Sequence, residues 1–408
     1  MSAFELLSNI DVVDPYPLWQ GLLNGPPQVA PDGSFALVTG LADCAALLRH
    51  PDLSSDHRNS NHFKNVRLPK LSAEDLERFE KREVFLFRDP PVHTRLRRLV
   101  SKAFTPRRIE QLQPFVQART DELLNAAAGR GRLELVDDLA YPLPVAVISE
   151  MLGVPHEDHA TFAGWSAVLA KGLDTLMSEP TPEEVRANMV ASDDFRAYFA
   201  DLADARRREP RDDLMSALVA AEEEGDKLTM DELTSTALLL LVAGHETTVS
   251  LIGNAMLALL RVPGLLERVR AQPSLGEGVI EEVLRLDPPV QMTMRTALAD
   301  VELPGGVLKA GGSAILLIAA AGRDEAAFPD SLTFDADRSD PGHLAFSGGI
   351  HYCLGAPLAR LEGRIVVAEL ARRLVAPRLE ELEYRDNRVL RGPSRLVIGY
   401  DELLPSRS

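Results

Sequence analysis

The sequence predicts a mainly α-helical fold carrying small β-sheets. Three observations lead there. A proline-free helical pattern runs from Thr229 to Leu260, the longest in the chain. Shorter helical blocks recur at Leu41–His50, through much of 108–208, at Glu277–Leu286 and from Ala356 to about Arg373. The strand-like stretches are short and sit beside turn pairs such as Asp32-Gly33, Gly305-Gly306 and Gly311-Gly312. With 408 residues, 45% of them hydrophobic, the chain can build a large core. No internal repeat, low-complexity tract or linker divides it.

Taken in order, Asp14 to Leu23 starts a short helix near Pro15 and Pro17. Val29 to Val38 reads as a hairpin turning at Asp32-Gly33. Leu41–His50 is helical and Pro51 follows it; Cys44 lies inside this helix and is assigned to the core. Residues 54–85 lack periodicity. His57, Arg58, His62, Lys64, Arg67 and Lys70 make part of this segment basic, which suits a solvated loop or a lid that attracts a carboxylate. Asp89–Val100 opens a helix behind Pro90 and Pro91. His93 and Arg97 share one of its faces, where two donors suit a paired anion contact, although an exposed basic face reads the same way. Helices continue through 108–153, interrupted at Gly129–Gly131 and by strand-like Leu133–Val136. Two further blocks fill Pro155–Arg208, broken near Glu179–Pro182, and Asp212 and Asp213 stand at the positive end of the next helix.

The long helix then breaks a local rule at Ala243-Gly244-His245-Glu246-Thr247-Thr248. Glycine in a helix interior costs about 1 kcal/mol against alanine. The Thr247 hydroxyl can bond the Ala243 carbonyl and bend the helix. Such a break marks a functional site or a packing notch. His245-Glu246 begins like a zinc-protease motif, but Val249 stands where the second histidine is required. Downstream, Glu282 and Arg285 are placed to pair on one helix face; a buried pair needs further hydrogen-bond partners. Gly276-x-Gly278 fails as a dinucleotide fingerprint, since Glu281 replaces the third glycine and no strand precedes it. Pro289–Leu303 reads as extended, with Val290, Gln291, Met292 and Met294 as pocket lining or core. Tyr384–Leu404 suggests a terminal hairpin with Gly392-Pro393 at a turn.

Composition narrows the function classes. A net charge of −17 argues against general nucleic-acid binding and against an anionic membrane surface. Two cysteines, Cys44 and Cys353, make no disulfide framework and fit a reducing cytoplasm. Met1–Trp19 has no basic region ahead of an apolar block, so no signal peptide is expected. The apolar runs Ala237–Ala243 and Ala314–Ala321 are too short to span a bilayer, so no membrane anchor is expected.

The stretch Phe346–Arg360 carries the chemistry. Cys353 lies among Gly348, Gly349 and Gly355, which permit positive φ, and immediately before a helix. There the helix dipole is expected to lower the thiol pKa and make a metal ligand or nucleophile. Phe346-x-x-Gly349-x-His351-x-Cys353-x-Gly355 resembles the haem-binding signature of the cytochrome P-450 superfamily. The resemblance continues in order along most of the chain, through His93/Arg97, Ala243–Thr248, Glu282/Arg285 and Phe334–Arg338. It implies one domain over 1–408, a triangular prism, mainly α, with a β-rich part from about 1–70 and 290–320. It implies haem b held by the Cys353 thiolate, with Phe346 beside the sulfur and Gly349 and Gly355 shaping the loop. His93, Arg97, Arg295 and His351 would contact haem propionates. Ala243 and Gly244 would leave a groove for dioxygen, and Thr247 and Glu246 would deliver protons through ordered water. A Glu282–Arg285–Arg338 network would brace the cysteine loop. Gly322 departs from the family, many members having Asn there, and no functional change is expected from it.

The implied activity is monooxygenation of a hydrophobic small molecule, by hydroxylation or epoxidation, in the cytoplasm. The resemblance also makes part of residues 54–85 a substrate-recognition loop. Without a flavin or iron–sulfur sequence, electrons are expected from a ferredoxin and its reductase, for which Arg98, Lys102, Arg107, Arg108, Arg360 and Arg364 form either a basic docking patch or an ordinary solvated surface. A peroxide-driven haem enzyme ranks lower, because such relatives lack the acid–alcohol pair present here as Glu246-Thr247. A haem-based binding or sensing protein would need no proton relay.

Overall fold

The computed structural model describes residues 10–23, 25–70, 84–171, 181–223, 226–339 and 342–406. Its helices are α1 (Tyr16–Leu23), α2 (Leu41–Leu47), α3 (Val92–Ala103), α4 (Pro106–Gln111), α5 (Gln113–Ala127), α6 (Pro142–Leu152) and α7 (His159–Lys171). They continue as α8 (Pro182–Arg208), α9 (Leu214–Ala220), α10 (Met230–Arg261), α11 (Leu265–Ala271), α12 (Gly276–Leu286), α13 (Ile318–Ala321) and α14 (Ala356–Arg373).

Helix α10 is central and packs against α6, α8, α12 and α14. Its start is fixed by a capping box: the Thr229 hydroxyl accepts from the Glu232 amide at 3.2 Å, and the Glu232 carboxylate accepts from the Thr229 amide at 2.8 Å. Helix α8 starts the same way, with Thr181 and Glu184. By length and composition α10 could cross a membrane, but 67% of its apolar window is buried inside the protein. Its hydropathy is that of a core helix.

A five-stranded sheet runs in the order β1 (Gln28–Val29), β2 (Phe35–Val38), β10 (Ser313–Leu316), β7 (Thr293–Ala297), β3 (Leu53–Ser54). β1 and β2 form the expected hairpin, β2 and β10 pair in parallel, and β7 is antiparallel to both its neighbours. This sheet joins the N-terminal region to residues 293–316. A second sheet places β13 (Pro393–Gly399) between β12 (Arg378–Tyr384) and β4 (Arg132–Glu134), and two-stranded ribbons pair β5 (Glu222–Glu223) with β6 (Asp226–Lys227), β8 (Val301–Leu303) with β9 (Gly306–Leu308) and β11 (Leu374–Val375) with β14 (Glu402–Leu403). Cys44 is fully buried against the first sheet with Ala36, Val38 and Leu316, and burial pushes its thiol well up.

Some boundaries differ from the sequence reading. The terminal hairpin begins at Arg378, six residues before Tyr384, because its exposed strand is charged and lacks apolar alternation. Val136 belongs not to a strand but to a wide helical turn, Val136–Ala140. The basic segment folds into short helical turns at His57–Asn59, Phe63–Arg67 and Leu68–Lys70. Residues 71–83 of that segment, and 172–180 at the break before α8, lie outside the described residues. Met292 is core, packed with Trp19, Leu37 and Leu317, whereas Met294 is exposed.

Candidate functional site

The cysteine loop ends on α14. The Cys353 amide donates to the Phe346 carbonyl at 2.9 Å, which closes the loop beneath the buried Phe346 ring. Gly349 has φ +64°, and a Cβ there would press on the Leu48 carbonyl. The other two glycines were expected to share this freedom and do not: Gly348 is extended at φ −156° and Gly355 lies at φ −81°. At Gly355 a Cβ would instead face the Cys353 sulfur at 3.9 Å.

The expected lowering of the Cys353 pKa is also corrected. Burial raises it, and this outweighs the Gly355 and Ala356 amides and the nearby Arg97 and Arg360, all of which favour the thiolate. Desolvation acts from all sides, whereas the helix terminus acts from one. A coordinated cation reverses that balance and deprotonates the thiol.

Four basic groups converge beside this loop. The His93 and His351 rings are 4.3 Å apart. Burial and Arg97 lower the His93 pKa. Burial, His93, Arg295 and Arg97 push His351 down to about 3. Arg97 donates to the Tyr352 carbonyl at 2.7 Å, and the buried Arg295 donates to the Met294 carbonyl at 2.8 Å. Asp89 favours the charged forms of His93 and Arg295. Both His93 ring nitrogens are buried with no hydrogen-bond partner among the described residues. Unpaired buried imidazole nitrogens beside two guanidinium groups cost free energy alone and fit a bound polyanion. This donor set fits the two propionates of a haem over Cys353.

Helix α10 opens on one face at its sequence break. The Thr247 hydroxyl donates to the Ala243 carbonyl and the Thr248 hydroxyl to the Gly244 carbonyl, each at 2.9 Å. Ala243 is exposed in the middle of this core helix, and a Cβ on Gly244 would meet nothing within 4 Å. Glu246 lies elsewhere: it is buried and ion-paired to Arg385, just beyond β12. His245 is fully buried, its Nδ1 2.9 Å from the Ser166 hydroxyl and its ring edge-on to Tyr141 at 4.3 Å. Burial and Arg385 push His245 down to about 3, so it is neutral.

The Glu282 carboxylate accepts from Arg285 (2.8 and 2.5 Å), from Arg338 (3.3 Å) and from the Asp335 amide (3.0 Å). Arg285 also reaches the Gly322 and Ser331 carbonyls, each at 2.6 Å. Any Cβ on residue 322 would overlap the Arg285 carbonyl, so this network and the Gly322 departure belong together. Among the candidate docking cations, Arg360 is bound to Glu281 at 2.6 and 2.9 Å and stacks on Phe346, Arg108 lies 3.5 Å from Asp212, and Arg364 reaches Gln113. Arg58 is paired with Asp56, which also binds Arg88, so the basic segment is partly neutralised within itself. Arg385, Tyr141, Ser166 and Asp89 were not singled out from sequence; nothing in local spacing marks them.

The class defined here is a mainly helical chain with a thiol beside a cluster of two arginines and two histidines and a long helix opened at Ala243–Thr247. The chain belongs to the cytochrome P450 family, whose model, described as Cytochrome P450, matches residues 35–272 and 274–393. It is similar to "Cytochrome P450 monooxygenase PikC" of Streptomyces venezuelae, 41% identical over 397 residues, covering 94% of this chain and 91% of that one. It is similar also to "Vitamin D(3) 25-hydroxylase" of Pseudonocardia autotrophica, 38% identical over 403 residues, covering 97% and 96%. Among solved structures, ligand-free CYP164A2 of Mycobacterium smegmatis superposes with TM-score 0.85 and 45% identity, covering 97% of this chain and 98% of that one. The protein is thus a haem b oxidoreductase of the P450 monooxygenase class.

Proposed function

We propose that this protein hydroxylates or epoxidises a hydrophobic small molecule in the cytoplasm, using O₂ and electrons from a ferredoxin and its reductase, as one catalytic domain spanning 1–408. The observation that carries the reading is the cluster of Arg97, Arg295, His93 and His351 beside Cys353, with both His93 nitrogens unpartnered among the described residues. Bound haem supplies the redox chemistry that activates dioxygen.

The chain's own residues supply the rest. Cys353 would supply the thiolate that holds the haem iron, and Gly349 and Gly355 let the loop present it. Phe346 screens it from water. His93, Arg97, Arg295 and His351 hold the propionates. The space over Ala243 and Gly244 admits dioxygen and substrate. Thr247, its hydroxyl oriented by the Ala243 carbonyl, accepts and passes protons that Glu246 brings through water. The Glu282–Arg285–Arg338 network fixes the segment ahead of the loop. The name of the vitamin D(3) 25-hydroxylase relative supports a bulky apolar substrate.

The test is the absorbance of the reduced protein under carbon monoxide. A thiolate-type red-shifted band is expected; a haem band without it, or none, overturns the proposal. Binding spectra against steroids, terpenoids, fatty acids and polyketides then select the substrate.

A further inference from the structure

Two neighbouring carboxylates on α12 serve different arginines. Adjacent helix residues point about 100° apart. Glu282 turns towards Arg285 and Arg338, whereas Glu281 turns towards α14 and the segment ahead of the cysteine loop. The Glu281 carboxylate takes two arms of Arg360, Nε at 2.6 Å and Nη2 at 2.9 Å, a forked geometry that fixes the guanidinium plane. It also accepts from His343 Nε2 at 3.2 Å. His343 Nδ1 accepts from the Ala345 amide at 3.3 Å, so the neutral ring carries its proton on Nε2, facing Glu281. Burial opposes ionisation of Glu281, but the His343 and Arg360 hydrogen bonds hold it down to about 2. The Glu281 hydrogen bonds in turn raise Arg360, so both members of the pair stay charged.

The pair reaches the sulfur through the loop. Arg360 Cζ lies 4.5 Å from the centre of the Phe346 ring, and Nη1 donates to the Tyr352 hydroxyl at 3.4 Å. Phe346 supplies the carbonyl that closes the loop, and Tyr352 immediately precedes Cys353. The His343 ring also packs on Phe346, with 5.8 Å between centres. Arg97 and Arg360 both favour the Cys353 thiolate. Arg97 stands with the propionate-type donors, whereas Arg360 stands on α14 and has Glu281 as its counter-charge.

We propose that Glu281 is a positioning residue for electron uptake: it holds Arg360 against Phe346, cancels part of its charge, and so sets the reduction potential of the bound haem. This rests on the haem-thiolate reading of the same site. Reduction of ferric to ferrous haem takes one electron from the ferredoxin and moves no atom, so the site gains one negative charge. A cation beside the sulfur favours that change and an anion opposes it. Glu281 therefore makes the first electron harder to add than Arg360 alone would make it.

The experiment is a mediated spectroelectrochemical titration of the haem-loaded protein, with the thiolate-type carbon monoxide band confirming that each variant keeps its sulfur ligand. At a fixed poise Glu281→Gln should raise the ratio of ferrous to ferric haem roughly fivefold and Arg360→Gln should lower it roughly fivefold, the scale of one unit charge about 15 Å away at an effective dielectric of about 20. Fivefold is ~41 mV for one electron. The double variant should return to within about twofold of wild type. Lost packing alone would move both single variants the same way, since each breaks the same pair. Shifts of one sign in both, or none larger than about twofold, overturn the proposal. If one single variant loses its haem, the other and the double variant decide: the double should undo the other's shift, and a double that keeps or enlarges it overturns the proposal. Failure of the haem-thiolate reading looks different, since wild type itself would lack the carbon monoxide band, and this proposal would fall with it.

Discussion

Glu362 offers a quantitative test. It lies on α14, behind the cysteine loop, with 2% of its surface exposed. Its Oε2 has no hydrogen-bond partner among the described residues, and burial alone pushes its pKa up to about 8, from a reference of 4.5. The folded protein therefore holds a neutral carboxylic acid where the unfolded chain holds a carboxylate. Below the unfolded pKa both states are protonated and Glu362 imposes no penalty. As pH rises from 4.5 towards about 8, the unfolded state releases the proton first and folding loses stability. At 1.36 kcal/mol per pKa unit, the shift of about 3.5 units sets a ceiling of ~5 kcal/mol lost by pH 8. Glu362→Gln keeps the shape and removes the titration. Urea unfolding of wild type and variant across this range should show the variant gaining steadily on wild type up to about pH 8 and holding a constant lead above it. A lead that does not change with pH would refute the reasoning.

Four further outcomes are expected. Thr247→Ala should keep the thiolate-type carbon monoxide band but divert most reducing equivalents to peroxide, measured as product formed per equivalent. Arg285→Ala leaves Glu282 charged and buried, so chemical denaturation should show a loss of about 3–5 kcal/mol. His93→Leu removes two unpartnered buried nitrogens, so the haem-free protein should be no less stable, while haem transfer to an acceptor apoprotein should run several-fold faster than from wild type. Raising salt should slow electron transfer from an acidic ferredoxin if Arg98, Lys102, Arg107, Arg108 and Arg364 dock it; rates independent of salt would remove that role.

What could be read from sequence was what local chemistry encodes. The helical pattern starts at Thr229, one residue before α10, Thr247 reaches back one turn, and Glu282 and Arg285 share a face; each is a short-range relation. Arg338 entered only through the family resemblance, because its 56-residue separation from Glu282 leaves no periodic trace. Arg385 was missed for the same reason, arriving at Glu246 from the other end of the chain. The Cys353 pKa took the wrong sign because a helix terminus is visible in sequence and burial is not. Arg58 read as a spare cation because Asp56, two residues earlier, was not weighed against it.

The parallel pairing of β2 with β10 bears on how the chain matures. Phe35–Val38 lie near the start of synthesis and Ser313–Leu316 near its last quarter, so the first hairpin must wait for its neighbour. At ordinary translation rates that delay is on the order of tens of seconds. Throughout it, Ala36 and Val38, buried in the finished protein, lack the strand that completes their sheet. Ribosome-bound fragments stopped before Ser313 should accordingly be captured by chaperones, and slowing elongation should lower the yield of folded enzyme.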